Sequence, residues 1–241
     1  MPVENLYSSP PHWLPIPATL DNFIKSWNLL NFPLYFKNTL FITALAVLGS
    51  LLSSSVVGYA FAVLPARGKD ILFYLMLATI MVPPTVTLIP LFILYSKLGW
   101  VNTYLPLILP YFCANAFFVF LFRQLYRSLP VELFDSAEID GCNPLLSYWY
   151  IAIPLSRPAL AAVAIFTFIN AWNDFLGPLV YLNTEEKFTI SLGLSFFQGY
   201  YFTQLHYLMP MSLVALLPVI LLFILAQRVF IQGIVTTGLK G

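Results

Sequence analysis

Five stretches of this chain are nearly free of charged residues: roughly 38–64, 71–95, 104–122, 159–182 and 207–226. Each comes close to or exceeds the ~20 residues with which a helix crosses a hydrocarbon core. None shows the strict polar–apolar alternation of barrel strands, and a lipid-exposed backbone must satisfy its own hydrogen bonds, so the pattern predicts helices. The expected fold is all-α, a polytopic membrane helix bundle with five spans. Pro83, Pro84 and Pro90 interrupt the second run and Pro106 and Pro110 the third. Each removes a helix hydrogen bond and bends the axis, and in membrane helices such breaks often line cavities or hinges. The small residues Gly49, Ser50, Ser53, Ser54, Ser55 and Gly58 let helices approach closely in the first run.

Composition agrees. Of the 241 residues, 60% are apolar and 9% charged, against about a quarter charged in soluble domains. The net charge of +1, with no run of Lys or Arg, argues against a nucleic-acid partner. Cys113, Cys142, His12 and His206 are too few and too scattered for a Cys/His metal site, and the two cysteines read as small apolar fillers that do not pair. Lys and Arg concentrate in alternate loops, with Arg67 and Lys69, then Arg123, Arg127 and Arg157, then Arg228 and Lys240. The positive-inside rule puts these loops in the cytoplasm. The expected division is an external segment 1–37, a permease domain 38–231 with a cytoplasmic loop 123–158, and a cytoplasmic tail 232–241. An external start carrying Lys25 and Lys37, without a signal-peptide pattern, suggests that a preceding membrane helix is missing.

One internal loop stands apart. Glu132, Asp135, Glu138 and Asp140, four of the ten carboxylates, fall within nine residues. Ser128 and Pro130 read as a helix start, the acidic residues suit its first turns, and Gly141 followed by Asn143-Pro144 ends it. A helix over 131–140 is about 15 Å long, too short to span and too polar to insert. Val131, Phe134 and Ala137 follow helical spacing. The segment is either a knob offered to a cytoplasmic partner or an ordinary solvated loop helix.

The loop resembles the EAA loop of ATP-binding-cassette importer permeases, in which Glu-Ala-Ala, three residues, Gly and nine residues lead to Ile-x-Leu-Pro. Here Asp135-Ser136-Ala137 is followed by Gly141 and then Ile151-Ala152-Ile153-Pro154, with the spacing intact. Asp135, Ser136 and Ile153 depart conservatively from the pattern. MVPPTVTLIPLF (81–92), LGWVNTYLPLILPY (98–111), FRQLYRSLPVELFDSAEIDG (122–141), PLSRPAL and WNDFLGPLVYL also resemble successive blocks of the maltose-type carbohydrate permeases, and PATLDNF and FIQGIVTTGLKG lie at the two ends. Such permeases have six membrane helices, the first apparently missing here.

The resemblance implies a type I importer permease that is not itself an enzyme. The chain lacks a Gly-x-x-x-x-Gly-Lys-Ser/Thr phosphate loop, so ATP and Mg are expected in partner ATPases and no cofactor in this chain. Implied partners are a second permease, two ATPase subunits, an extracytoplasmic solute-binding protein, membrane lipid and a carbohydrate. The implied setting is the inner membrane of a prokaryote. Glu132, Phe134, Asp135, Ser136, Ala137, Glu138, Asp140, Gly141, Ile151 and Pro154 are the expected ATPase-coupling residues. Among them Phe134 and Ala137 are expected to fill the ATPase groove, with Asp135 and Glu138 at its rim. Permeases for glycerol phosphate, oligopeptide or polyamine, and a stand-alone channel or secondary transporter, are the alternatives.

Asp174 is the only acidic residue in the five runs, about 23 Å along a helix counted from Ala159. On that helix Asn170, Asn173, Asp174 and Gly177 share one face, which either lines a solute path or seals helices together. The aromatic stretch FFQGYYF (196–202) suits sugar stacking, contact with an external protein, or an interfacial belt.

Overall fold

A single long helix organises the molecule. After the short α1 (Asp21–Leu29), α2 runs over Phe32–Ala62, about 46 Å at 1.5 Å per residue, and its two ends define the two ends of the bundle. The computed structural model describes residues 19–199 and 203–238, the last twelve of these by backbone alone; His12 and Tyr200, Tyr201 and Phe202 lie outside the described residues. Pro33 sits in the first turn of α2, where its missing N–H costs nothing. Apolar on all sides, α2 is buried from Phe32 to Tyr59 by neighbours on several faces. Gly58 shows how close they come: a Cβ there would lie 2.6 Å from Phe122 Cβ and 3.2 Å from the Arg123 backbone nitrogen.

The second apolar run is not one straight span. Helix α3 (Lys69–Ala78) tightens into a 3₁₀ turn, Thr79–Met81, and α4 (Pro84–Lys97) leaves at 99°. Pro83 forbids helical geometry at Val82, which is extended at φ −82° and ψ 115°. The third run also breaks. The short α5 (Leu105–Ile108) and a 3₁₀ turn, Leu109–Phe112, precede α6 (Ala116–Arg127), with Ala114 in a left-handed conformation at φ 57° between them. The Ser53 hydroxyl accepts from the Ala114 amide at 3.2 Å and donates to the Tyr111 carbonyl at 3.1 Å, serving backbone groups freed by the break.

Beyond α7 (Glu132–Ile139) come α8 (Pro144–Ser147), a π-turn at Tyr148–Ala152 and α9 (Ile153–Leu155). Helix α10 (Arg157–Trp172) then turns away by 78° at Ser156, beside Pro154 and Pro158. Helices α11 (Leu176–Tyr181), α12 (Ile190–Ser195) and α13 (Leu205–Gly238) complete the order. The fourth run, expected as one helix over 159–182, therefore divides at residues 173–175. Among the described residues three helices are long and apolar enough to cross a membrane, and five spans result if each bent pair counts as one. Among the described residues there is no strand, only an isolated bridge between Gln198 and Thr203.

At the start of α2, Tyr35 donates to Glu185 at 3.0 Å, and the Asn38 amide donates to the carbonyls of Glu186 and Phe188 at 2.9 and 3.0 Å. Asn102 pins the same loop: its side-chain oxygen accepts from the Asn183 and Thr184 amides and the Thr184 hydroxyl. Phe197, from the aromatic stretch 196–202, is 2% exposed and stacked on Phe32 with ring centroids 5.7 Å apart. Only Phe196 of that described pair is exposed.

Candidate functional site

At the other end of α2 sits α7, the charged helix. Its start differs from the expected one. Ser128 closes α6, its hydroxyl donating to the Leu125 carbonyl at 2.7 Å, and α7 begins after Val131 with no side-chain cap. Its end follows the sequence. Gly141 is left-handed at φ 83°, the Gly141 amide donates to Glu138 O at 3.0 Å, and the Cys142 amide reaches back to Ala137 O at 2.8 Å. That is a Schellman closure, which favours glycine at the turning residue. Asn143 then caps α8 by accepting from the Leu146 amide at 2.9 Å, with Pro144 at the first helical position. One helix stops and another starts within five residues.

The orientation of α7 corrects one expectation. Ala137 is buried at 6% exposure, and Phe134 packs half-buried against Tyr59 with centroids 6.1 Å apart. Apolar atoms at the inward spacing of an amphipathic helix find the chain's own core, so Ala137 is not free to fill a partner's groove, while Phe134 keeps part of its ring facing the cavity behind the helix. The outward side carries Glu132, Leu133, Ser136, Ile139 and Asp140, with Ile139 86% exposed. Asp135 and Glu138 are exposed and also line a cavity behind the helix.

Behind α7 lies an aromatic cluster. Tyr59 contacts Tyr126 edge-on at 5.8 Å and Tyr148 at 5.3 Å, and the Tyr148 hydroxyl hydrogen-bonds Ser55 at 2.7 Å. These residues connect α7 to α2, α6 and the π-turn, which carries Ile151; Pro154 follows, exposed, in α9. Beside them Arg123, 7% exposed, donates to Asp70 at 2.7 Å and lies 3.9 Å over the Phe73 ring. This fastens the start of α3 to α6. Sequence reasoning took Arg123 for a topology marker and passed over Tyr59, Tyr126 and Tyr148. The available signal was the i,i+4 spacing of Phe122 and Tyr126 opposite the small residues of α2.

The polar group around Asp174 is also rearranged. Because α10 ends at Trp172, Asn170, Asn173, Asp174 and Gly177 do not share one helix face. Asn173 turns its amide back to the Ile169 carbonyl at 2.8 Å. Asp174 Oδ1 accepts from the Gly177 amide at 3.1 Å, acting as a cap on the new helix α11. A Cβ on Gly177 would collide with the Asp174 carboxylate and lie 2.8 Å from Leu107. Asn170 and Asn173 are exposed, Asp174 is half-buried, and Tyr111, from the break before α6, lies within electrostatic reach of Asp174. Two broken helices thus meet at one polar spot. Cys113 is exposed, Cys142 is half-buried, and both are free thiols. Half-buried His206 lies against Tyr207. No group of three metal-binding side chains occurs among the described residues.

A bundle of long apolar helices that carries one short, charged, outward-facing helix defines a polytopic membrane protein. Residues 54–235 match the profile of the binding-protein-dependent transport system inner membrane component, and the chain belongs to that family. It is 41% identical over 228 residues to the arabinooligosaccharides transport system permease protein AraQ of Halalkalibacterium halodurans, covering 94% of this chain and 81% of that protein. To the lactose transport system permease protein LacG of Rhizobium radiobacter it is 34% identical over 216 residues, 90% of this chain and 79% of the relative. The solved structure of a bacterial ABC transporter involved in the import of the acidic polysaccharide alginate matches with a TM-score of 0.79 at 24% identity. That match covers 89% of this chain and 81% of the other, and it supports a type I importer permease fold.

Proposed function

We propose that this chain is a membrane-spanning permease subunit of an ATP-driven, binding-protein-dependent importer of carbohydrate. ATP and Mg are handled by two partner ATPase subunits. In this reading α7 is the coupling helix on the cytoplasmic side, with the C-terminus, and the loop held by Asn102 lies outside. A second permease completes the solute path, and a solute-binding protein delivers cargo.

The observation that carries this is the two-sided construction of α7. One side is fastened to α2 through Phe134 on Tyr59, with Ala137 buried beside it, while Ser136, Ile139 and Asp140 remain open. Closure of the ATPases would displace α7 as a rigid knob, and the aromatic cluster would pass that movement to α2, switching access between the two sides. Support for carbohydrate as cargo comes from the relatives named for arabinooligosaccharides and lactose. The polar spot of Asn170, Asn173 and Asp174 suits a hydroxyl-rich solute. Reconstitution tests the reading: uptake of an oligosaccharide should require both ATP and the ATPase subunits, and uptake by the permeases alone would reject it.

A further inference from the structure

Between α7 and the end of α2 lies a cavity of 480 Å³, within the ~300–1,000 Å³ range of small-ligand sites. It is separate from the polar spot at Asp174 and lies behind the coupling face. Its apolar lining includes Val63, Leu64 and Phe134, and Arg127, Asp135 and Glu138 border it. Among the described residues the one ion pair is Arg123–Asp70, so these three charged groups are unpaired. Unpaired charges of both signs bordering one apolar cavity complement a zwitterion with an apolar extension.

Position narrows the choice. The wall of the cavity is the last turn of a membrane span continuing into Pro65, and Arg67 and Lys69 follow within four residues. The next helix exposes Ile71, Leu72 and Leu75, as a lipid-facing surface does. The cavity therefore lies where apolar span meets charged loop, at headgroup depth. We infer that it seats the headgroup of phosphatidylethanolamine. Arg127 takes the phosphate, Asp135 and Glu138 accept from the ammonium, and Leu64 and Pro65 meet the first methylenes while the tails stay in the bilayer. Choline has no N–H to donate, and phosphatidylglycerol has no cation. A seated headgroup bridges α7 to α2 and α6 and stiffens the coupling joint; this rests on the proposed placement of α7 at the membrane surface.

The test uses the complete transporter, stripped of lipid and titrated with defined lipids in native mass spectrometry. Phosphatidylethanolamine should be retained at about tenfold lower concentration than phosphatidylcholine or phosphatidylglycerol; Arg127→Gln should weaken retention of all three, and Asp135→Asn combined with Glu138→Gln should remove most of the advantage. With Cys113→Ser and partner cysteines removed, the same lipid should slow maleimide labelling of Cys142, which lines the cavity. Equal retention of the three lipids would overturn the assignment, as would selectivity surviving the combined Asp135→Asn and Glu138→Gln substitutions. Equally tight binding of water-soluble phosphoethanolamine would mark a soluble-ligand site instead and also overturn it. ATP-driven uptake measured in vesicles of the same lipids separates the two readings: uptake without selective retention rejects the lipid site alone, and selective retention without uptake rejects the coupling reading alone.

Discussion

Gly141 carries the clearest single-residue demand. Its φ of 83° lies in the region L side chains avoid, while a Cβ there would meet nothing within 4 Å. The cost of substitution is therefore conformational, about 1–2 kcal/mol. Gly141→Val should tilt α7 and cut uptake strongly while ATP hydrolysis persists, and Gly141→Asn should restore much of the uptake, because Asn tolerates the left-handed turn. Paired uptake and hydrolysis assays on the two variants read this out. Phe134 makes a different demand. Truncation to Ala removes a half-buried ring packed on Tyr59, worth about 2 kcal/mol, half the cost of a fully buried phenylalanine. The variant should still bind the ATPase through the open side of α7 and transmit poorly, giving hydrolysis that no longer responds to cargo. At Asp174 the acceptor matters more than the charge for structure. Asp174→Asn should assemble normally, because Asn caps as well, whereas Asp174→Ala should lose about 1 kcal/mol in thermal unfolding. If the charge serves the solute path, only uptake kinetics will separate Asp174→Asn from the parent.

At the scale of elements, prolines decide what the apolar pattern leaves open. Hydrophobic runs showed where membrane segments lie, because burial in lipid needs only length and composition. They did not show that the second run turns by 99°, since a bend depends on the backbone restriction that Pro83 places on Val82. Replacing both Pro83 and Pro84 by Ala should straighten the segment, and spin labels at Leu72 and Ile93 should report a longer separation. The break after Trp172 was hidden for another reason. Asn173 and Asp174 read as a polar face under helical periodicity, but their side chains satisfy backbone groups locally and compete with helix continuation. The end of α7, by contrast, was legible residue by residue, because Gly141, Asn143 and Pro144 each have a narrow backbone role. Its inward face was not: Val131, Phe134 and Ala137 define an apolar stripe without saying what covers it, and the chain's own core takes Ala137 and part of Phe134 but leaves Val131 61% exposed.

Across the whole molecule, α2 links two fastened ends. The loop held by Tyr35, Asn38 and Asn102 lies at its start, and Tyr59 with the coupling helix lies at its finish. A motion imposed on α7 reaches the opposite end along one continuous helix, with no flexible segment between. The family's function was legible in collinear motifs, while this linkage required coordinates, because Tyr59 and Phe134 are 75 residues apart in the chain and meet only in the fold. The most direct test of the account is site-specific crosslinking in the assembled transporter. A cysteine at Ile139 or Ser136 should join the ATPase subunit, and locking that contact should stop uptake until the link is released, whereas a cysteine at buried Ala137 should not react. Efficient crosslinking from position 137 with none from 136 or 139 would contradict the account.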